Sequence, residues 1–260
     1  MLGEGMAIHD DPKAHMVFRF RVFGPLLFCV LLTYYLEKGP GLKKLFGSFF
    51  IWKVPAKWYA IGLLWKFILG YAGLLLVGLI FSFWPEWIYV PEFWYGWGAN
   101  IAFIIGIAFV EETAWISFSL SKMQSKYGAF KSVLIVGACW AMWYMPMVAI
   151  NEGVPAGYPI PVFFASMLAL TVLLAWLYNT TKSGLVLLCA QFVSNTTFFI
   201  APVLPEVVTS PEMLALGEYE VRPVTAFVAV FVLTAIIIVF KFGTKNLSKN
   251  ERAKWVTPNP

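Results

Sequence analysis

Charged residues are scarce in this chain of 260 residues: only 13% are charged, whereas 60% are hydrophobic. A soluble domain of this size has too little interior to hide so many apolar side chains, so the composition predicts a protein whose solvent is lipid. Histidine is scarcer still, with only His9 and His15, both near the N-terminus. A haem protein is disfavoured for that reason, since no apolar segment supplies an imidazole for iron.

Cysteine is also scarce, and the three residues lie inside apolar segments, at Cys29, Cys139 and Cys189. An odd number in such places indicates small packing residues and disfavours a disulfide framework. The net charge of +5 would suit a nucleic-acid partner in a soluble protein. Here most basic residues follow the positive-inside pattern of membrane proteins, so we expect the lipid bilayer as partner and no nucleic acid.

Long apolar runs alternate with short charged connectors, a pattern typical of membrane helices and unlike the residue-by-residue alternation of a β-barrel. Seven runs have about the length, 17 to 25 residues, that a helix needs to cross ~30 Å of hydrocarbon. The predicted spans are residues 20–36, 59–83, 99–120, 132–150, 162–178, 185–204 and 224–240. The predicted fold class is therefore all-α: a polytopic transmembrane helix bundle with about seven transmembrane helices. It occupies residues 20–240, between an N-terminal tail, 1–19, and a basic tail, 241–260.

The connectors alternate between basic and acidic or neutral, which predicts an odd number of spans and a cytoplasmic C-terminus. The N-terminus would then lie outside, and its basic residues, Arg19 and Arg21 among them, are an exception to the rule. Segment 41–52 combines lysines with aromatics, which fits either a helix along the cytoplasmic interface or an ordinary loop with anchoring aromatics. The short connectors suit the plasma membrane of a prokaryote, and an organelle membrane stays open.

Glu111 and Glu112 lie in the middle of an apolar run, directly after IAFIIGIAFV. An acidic side chain at the bilayer centre costs about 2.5–3.5 kcal/mol on insertion scales, and two adjacent ones cost more. Two neighbouring carboxylates in a low dielectric should not both ionise, so we expect at least one to be protonated at neutral pH. A plain structural reading, in which the pair fastens helices together, stays open, although one polar residue would suffice for fastening.

Two further polar pairs have the i, i+4 spacing that places both side chains on one helix face: Trp140 with Tyr144, and Gln191 with Asn195. Together with the two glutamates, these pairs place polar residues on three helices of a very apolar chain, and this predicts that they share one cavity. Lys66, inside the second span, could pair with a glutamate of that cavity, but its closeness to the basic connector favours snorkelling to the interface.

These residues carry a resemblance to a known family. The stretches EETAW at 111–115, KYGAFKSVLIVGACWAMWYMP at 126–146 and AWLYNTTKSGLVLLCAQFVSN at 175–195 resemble the three signature regions of the CPBP family. That family of intramembrane proteins includes type II CAAX prenyl endopeptidases and bacteriocin-processing or immunity proteins. The resemblance covers a core of about residues 100–200, with the motifs in order.

The family's motifs run Glu-Glu-x-x-x-Arg, Phe-x-x-x-His and His-x-x-x-Asn, and in active relatives a Glu and a His activate water while the last motif stabilises the oxyanion. The matching catalytic positions in this chain are Glu111, Glu112, Tyr144, Gln191 and Asn195. Trp115 and Trp140 would line the cavity with Lys66, and Ile116 stands where the arginine is expected.

Both motif histidines are therefore replaced, by Tyr144 and Gln191. Neither a phenol nor an amide can replace imidazole as a general base at neutral pH, and glutamine is a poor zinc ligand. We accordingly expect no catalytic metal and no other cofactor. General acid–base catalysis contributes about 10²–10⁴-fold, so a loss of that order or more is expected.

Three hypotheses remain. The first is a pseudoprotease that acts as a membrane scaffold or complex subunit and binds a partner helix, a lipidated peptide or a lipid in the former catalytic cavity. The second is an atypical intramembrane endopeptidase with a glutamate base. The third, a proton or ion pathway, is the weakest, because the polar residues stay within one cavity instead of lining both halves of the membrane.

Overall fold

The computed structural model describes residues 20–82, 84, 92–148, 158–197, 200, 201, 203 and 221–255, with the backbone alone at 92–97, 99, 100 and 148. These residues form a helix bundle, which confirms the all-α prediction, and each of the seven predicted spans falls on a helix. The N-terminal tail, with His9 and His15, lies outside the described residues. Within the described residues, five helices are long and apolar enough to cross a membrane: Arg21–Phe50, Ala56–Phe81, Ile101–Lys126, Ile160–Thr181 and Arg222–Phe242.

The helices are α1 (Gly24–Gly47), α2 (Ala56–Phe81), α3 (Glu92–Glu111), α4 (Ser121–Lys126), α5 (Ala129–Val148), α6 (Ile160–Thr181), α7 (Gly184–Thr196) and α8 (Arg222–Phe242). A π-helix, Glu112–Leu120, joins α3 to α4 in one continuous rod. Helix α6 packs against α5, α7 and α8, and α2 packs against α7 and α8. The core therefore lies around α6, whose residues 169–175 are all buried.

Helix α1 is interrupted where the sequence predicts the end of the first span. Lys38 has φ 54° and ψ −146°, a conformation that an L residue rarely adopts, and it separates the span from a second helical piece. In that piece Leu45 is fully buried, whereas Phe50 and Trp52 are exposed. Segment 41–52 therefore packs partly against the bundle, and the interfacial position remains a prediction.

The sixth predicted span is wrong at its C-terminal end. Residues 185–204 are mostly apolar, but α7 ends at Thr196, and the amides of Ile200 and Ala201 both donate to the Thr197 carbonyl in a turn. At 1.5 Å per residue this helix of 13 residues is about 20 Å long, too short to cross ~30 Å of hydrocarbon alone. Apolar composition did not reveal where the helix stops.

The basic tail packs against the ends of the helices. The buried side chains of Gln124 and Asn179 bond each other in both directions, at 2.8 and 3.1 Å. Gln124 also donates to the Ala253 carbonyl, and the Asn179 side chain bonds the Asn246 carbonyl and the Ala253 amide. Paired amides at the centre of such a network fix the course of the tail, because each would otherwise be buried without a partner.

Helices α2 and α8 approach each other closely at Gly73. A Cβ atom at this position would lie 2.7 Å from the backbone of Phe227. Small residues at such crossings let two membrane helices pack backbone to backbone. By contrast, a Cβ at Gly106 of α3 would meet nothing within 4 Å.

We predict that Gly73→Ala lowers the free energy of unfolding by about 1–3 kcal/mol, because α2 and α8 must separate. Gly106→Ala is the matched control and should be neutral or slightly stabilising, since alanine favours a helix over glycine. Denaturant titration of the two variants in mild detergent measures both. Equal stability of the variants would mean that the two helices are not in close contact in the protein.

Candidate functional site

The carboxylate of Glu111, the last residue of α3, is held by two other helices. The Tyr144 hydroxyl on α5 donates to Oε1 at 2.7 Å, and the Gln191 amide on α7 donates to Oε2 at 2.7 Å. Glu111 is 4% exposed. Hydrogen bonds to a charged acceptor are short and strong, so the two donors stabilise a carboxylate that hydrocarbon would otherwise exclude.

Asn195 lies one turn beyond Gln191, and its side-chain amide is close to the same carboxylate without reaching normal hydrogen-bond geometry. Its amide nitrogen is buried and, among the described residues, has no hydrogen-bond partner. The carbonyl oxygen of the Gln191 side chain is also buried without one. An unpartnered donor and an unpartnered acceptor therefore lie one helical turn apart beside Glu111.

Glu112 differs from its neighbour. It is fully buried, and neither carboxylate oxygen has a hydrogen-bond partner within the described part of the chain. Glu112 is also the first residue of the π-helix, in which the Ser121 amide bonds the Ile116 carbonyl five residues earlier. π-Helical turns are rare and occur frequently at functional sites, because they reorient side chains within a helix.

The two tryptophans predicted to line the cavity stack on each other. The ring centroids of Trp115 and Trp140 are 5.6 Å apart, with 14° between the planes. Trp140 is fully buried, and its indole nitrogen has no partner among the described side chains and backbone groups. It lies one turn before Tyr144 on α5, so this donor belongs to the same helix face as the Glu111 contact.

Lys66 is only 6% exposed, so the expectation that it snorkels to the interface is wrong. Its ammonium donates to the carbonyl of Ser194 and lies 3.4 Å from that residue's hydroxyl. Ser194 belongs to the last turn of α7, where a helix leaves carbonyl groups without internal partners and favours a cation. Lys66 thus stabilises the end of the helix that carries Gln191 and Asn195.

Arg21 is a residue near the site that the motifs do not reveal. It lies in a 3₁₀-helical turn, Arg21–Phe23, that packs against α3, and its guanidinium donates to the Met147 sulfur, one turn beyond Tyr144. Its charge acts electrostatically on both Glu111 and Tyr144. At the position where the family motif has an arginine, this chain has Ile116, which is fully buried. The sequence gives one indication that Arg21 has a special position: the N-terminal basic residues depart from the positive-inside pattern.

The donor set around Glu111 does not suit a metal ion. Over the residues that the structure describes, no three His, Cys, Asp or Glu side chains converge. The hydroxyl of Tyr144 and the amide of Gln191 present hydrogens to the carboxylate, so both of its oxygens are already engaged by donors. The arrangement is built to hold an acidic side chain.

Fold and site together define a polytopic α-helical membrane protein with a hydrogen-bonded glutamate where three helices meet. A family model described as type II CAAX prenyl endopeptidase Rce1-like matches residues 92–197, the segment from α3 through α7 that contains all the motif positions. A similar protein is CAAX prenyl protease 2 of Methanococcus maripaludis, which is 23% identical over 87 residues. That match covers 30% of this chain and 31% of the relative's length. These matches confirm the resemblance to the CPBP family.

We predict that Arg21 and Glu111 are energetically coupled. Because their attraction disappears when either charge is removed, Arg21→Gln and Glu111→Gln together should destabilise the protein less than the sum of the two single changes, by about 0.5–3 kcal/mol. Denaturant unfolding of the wild type, the singles and the double variant in detergent gives this coupling. Arg222→Gln, on α8, combined with Glu111→Gln is the control pair and should be additive within about 0.5 kcal/mol. Additivity of the Arg21 pair as well would contradict the coupling.

Proposed function

We propose that this chain is a catalytically degenerate CAAX-protease-like protein, which binds a membrane-embedded peptide segment of a partner protein at the Glu111 site without cleaving it. It would serve as a scaffold or as a subunit of a membrane complex. By the positive-inside pattern its C-terminal end faces the cytoplasm, and the short connectors favour a prokaryotic plasma membrane.

One observation carries the proposal: both oxygens of Glu111 accept hydrogen bonds from groups that do not exchange protons at neutral pH, Tyr144 and Gln191. A general base must reach the water that it activates, directly or through one bridging water. Imidazole in these two positions could take and return a proton, whereas a phenol and an amide hold the carboxylate in place.

The groups that lack partners support a peptide as the ligand. Asn195 offers an amide donor and Gln191 a carbonyl acceptor, both buried beside Glu111. Leaving such groups unpaired costs about 1–3 kcal/mol each, so a ligand that pairs them gains that much. A peptide backbone carries the complementary groups, a C=O and an N–H, in every residue.

The experiment is affinity purification of the full chain from native membranes in mild detergent, with mass spectrometry and a stoichiometry estimate. We expect a partner at near-equal stoichiometry with the wild type and about tenfold less of it with Asn195→Leu, which removes the amide donor. Thr234→Val is the control, because within the described part of the chain the Thr234 hydroxyl bonds only a carbonyl of its own helix. Isolation of the wild type as a single species, or equal retention by the Asn195 variant, would contradict the proposal.

An atypical endopeptidase is the second candidate function, and Glu112 is the observation that favours it. Glu112 is a fully buried carboxyl group at the start of a π-helix, and neither of its oxygens has a partner among the described residues. A buried polar group of this kind calls for an explanation, and a water molecule or substrate group that enters the site would supply the partner. The relative's name, CAAX prenyl protease 2, suggests a prenylated CAAX peptide as the test substrate.

Under this second function, Glu112→Gln should lower cleavage of a farnesylated CAAX peptide by about 10²–10⁴-fold while the protein still elutes as a folded species. Under the proposed binding function, wild type, Glu111→Gln and Glu112→Gln should show the same background rate. The assay uses the reconstituted full chain with mass-spectrometric detection of the released tripeptide.

A further inference from the structure

A cavity lies at the end of the bundle that carries the C-terminal tail, away from Glu111. It has a volume of about 630 Å³ and is formed by the start of α2, the ends of α6 and α8, and the tail. Four of its lining residues are lysines: Lys53, Lys57, Lys241 and Lys249. Three separate parts of the sequence therefore bring four positive charges to one concave surface.

These charges have no acidic partner among the described residues. Lys53, Lys57 and Lys241 lie over the aromatic rings of neighbouring residues, at 5.4 to 5.8 Å from the centroids. The acidic side chain nearest in sequence to this surface, Glu251, is paired with Lys254 and is itself exposed. Mutual repulsion of four ammonium groups is unfavourable, and an anion in the cavity would relieve it.

The wall of the cavity also includes an unpartnered hydrogen-bond donor. The indole nitrogen of Trp176 is buried without a partner among the described groups, although the ring lines the cavity. The ring packs edge-on against Trp58, with centroids 5.3 Å apart, and lies against Phe242. The wall thus combines an apolar aromatic surface with one donor that lacks an acceptor.

We propose that this cavity binds the phosphate headgroup of an anionic phospholipid. The ammonium groups supply donors for phosphate oxygens, and the Trp176 indole is a further donor within the wall. The aromatic surface suits the glycerol and upper acyl carbons. The cavity lies at the ends of three helices, which is where lipid headgroups meet a membrane protein. Basic pockets between membrane helices bind such lipids in other proteins. The lysines could also serve only to orient the protein in the membrane, as the positive-inside rule describes. That role would require neither a concave site nor a buried donor.

The test is titration of the purified full chain in mild detergent with phosphatidylglycerol, followed by native mass spectrometry, with phosphatidylcholine as the reference lipid. The wild type should bind phosphatidylglycerol preferentially. Each lysine removed should weaken binding about fivefold, so Lys53→Gln with Lys249→Gln should lose roughly 25-fold. Trp176→Phe, which keeps a ring and removes the donor, should lose about tenfold.

Lys126→Gln with Lys131→Gln is the matched control, because it removes the same charge from exposed positions outside the cavity. It should bind phosphatidylglycerol like the wild type, and all variants should keep the wild-type melting temperature. Equal loss in the control, or no preference for the anionic lipid in the wild type, would overturn the proposal. Complete competition by inorganic phosphate alone would overturn the assignment to a lipid.

Discussion

The structure depends on one interaction: the carboxylate of Glu111, inside a membrane helix, receives hydrogen bonds from two other helices. Glu111 ends α3, and its donors come from α5 and α7, so three helices that could otherwise slide in lipid are fixed relative to one another. Because hydrocarbon provides no hydrophobic force between helices, polar contacts of this kind determine much of the specificity with which membrane helices pack together. Lys66 adds a fourth helix, because α2 stabilises the last turn of α7 through Ser194.

The same two contacts that stabilise Glu111 bear on the proposed function. Tyr144 and Gln191 each occupy one carboxylate oxygen, and both are neutral groups with a fixed hydrogen-bonding role. A site that moves protons needs partners whose charge changes near neutral pH, and in the family pattern those partners are histidines. In this chain hydrogen-bonding residues stand at those positions and join the three helices. Under the proposed binding function they hold Glu111 in place without exchanging protons.

Much of the fold and of the site could be predicted from the sequence because two signals were strong. Long apolar runs located every predicted helix, and the few polar residues at helical spacing were enough to group Glu111, Tyr144 and Gln191. What could not be predicted depends on contacts between distant segments: Arg21 is placed by the packing of its turn on α3, and Lys66 by the carbonyl of Ser194. The end of α7 was missed for another reason, since residues on both sides of Thr196 are equally able to lie in a membrane.

Polar residues that only join helices differ from those of a binding site in one respect: whether all their polar groups have hydrogen-bond partners within the protein. Eight buried side-chain atoms lack a hydrogen-bond partner among the described residues, and five of them belong to Glu112, Trp140, Gln191 and Asn195. A group whose only task was to hold helices together would be selected for complete pairing, because each orphan costs about 1–3 kcal/mol. The concentration of orphans around a paired Glu111, at the start of a π-helix, therefore favours a site that is completed by a ligand.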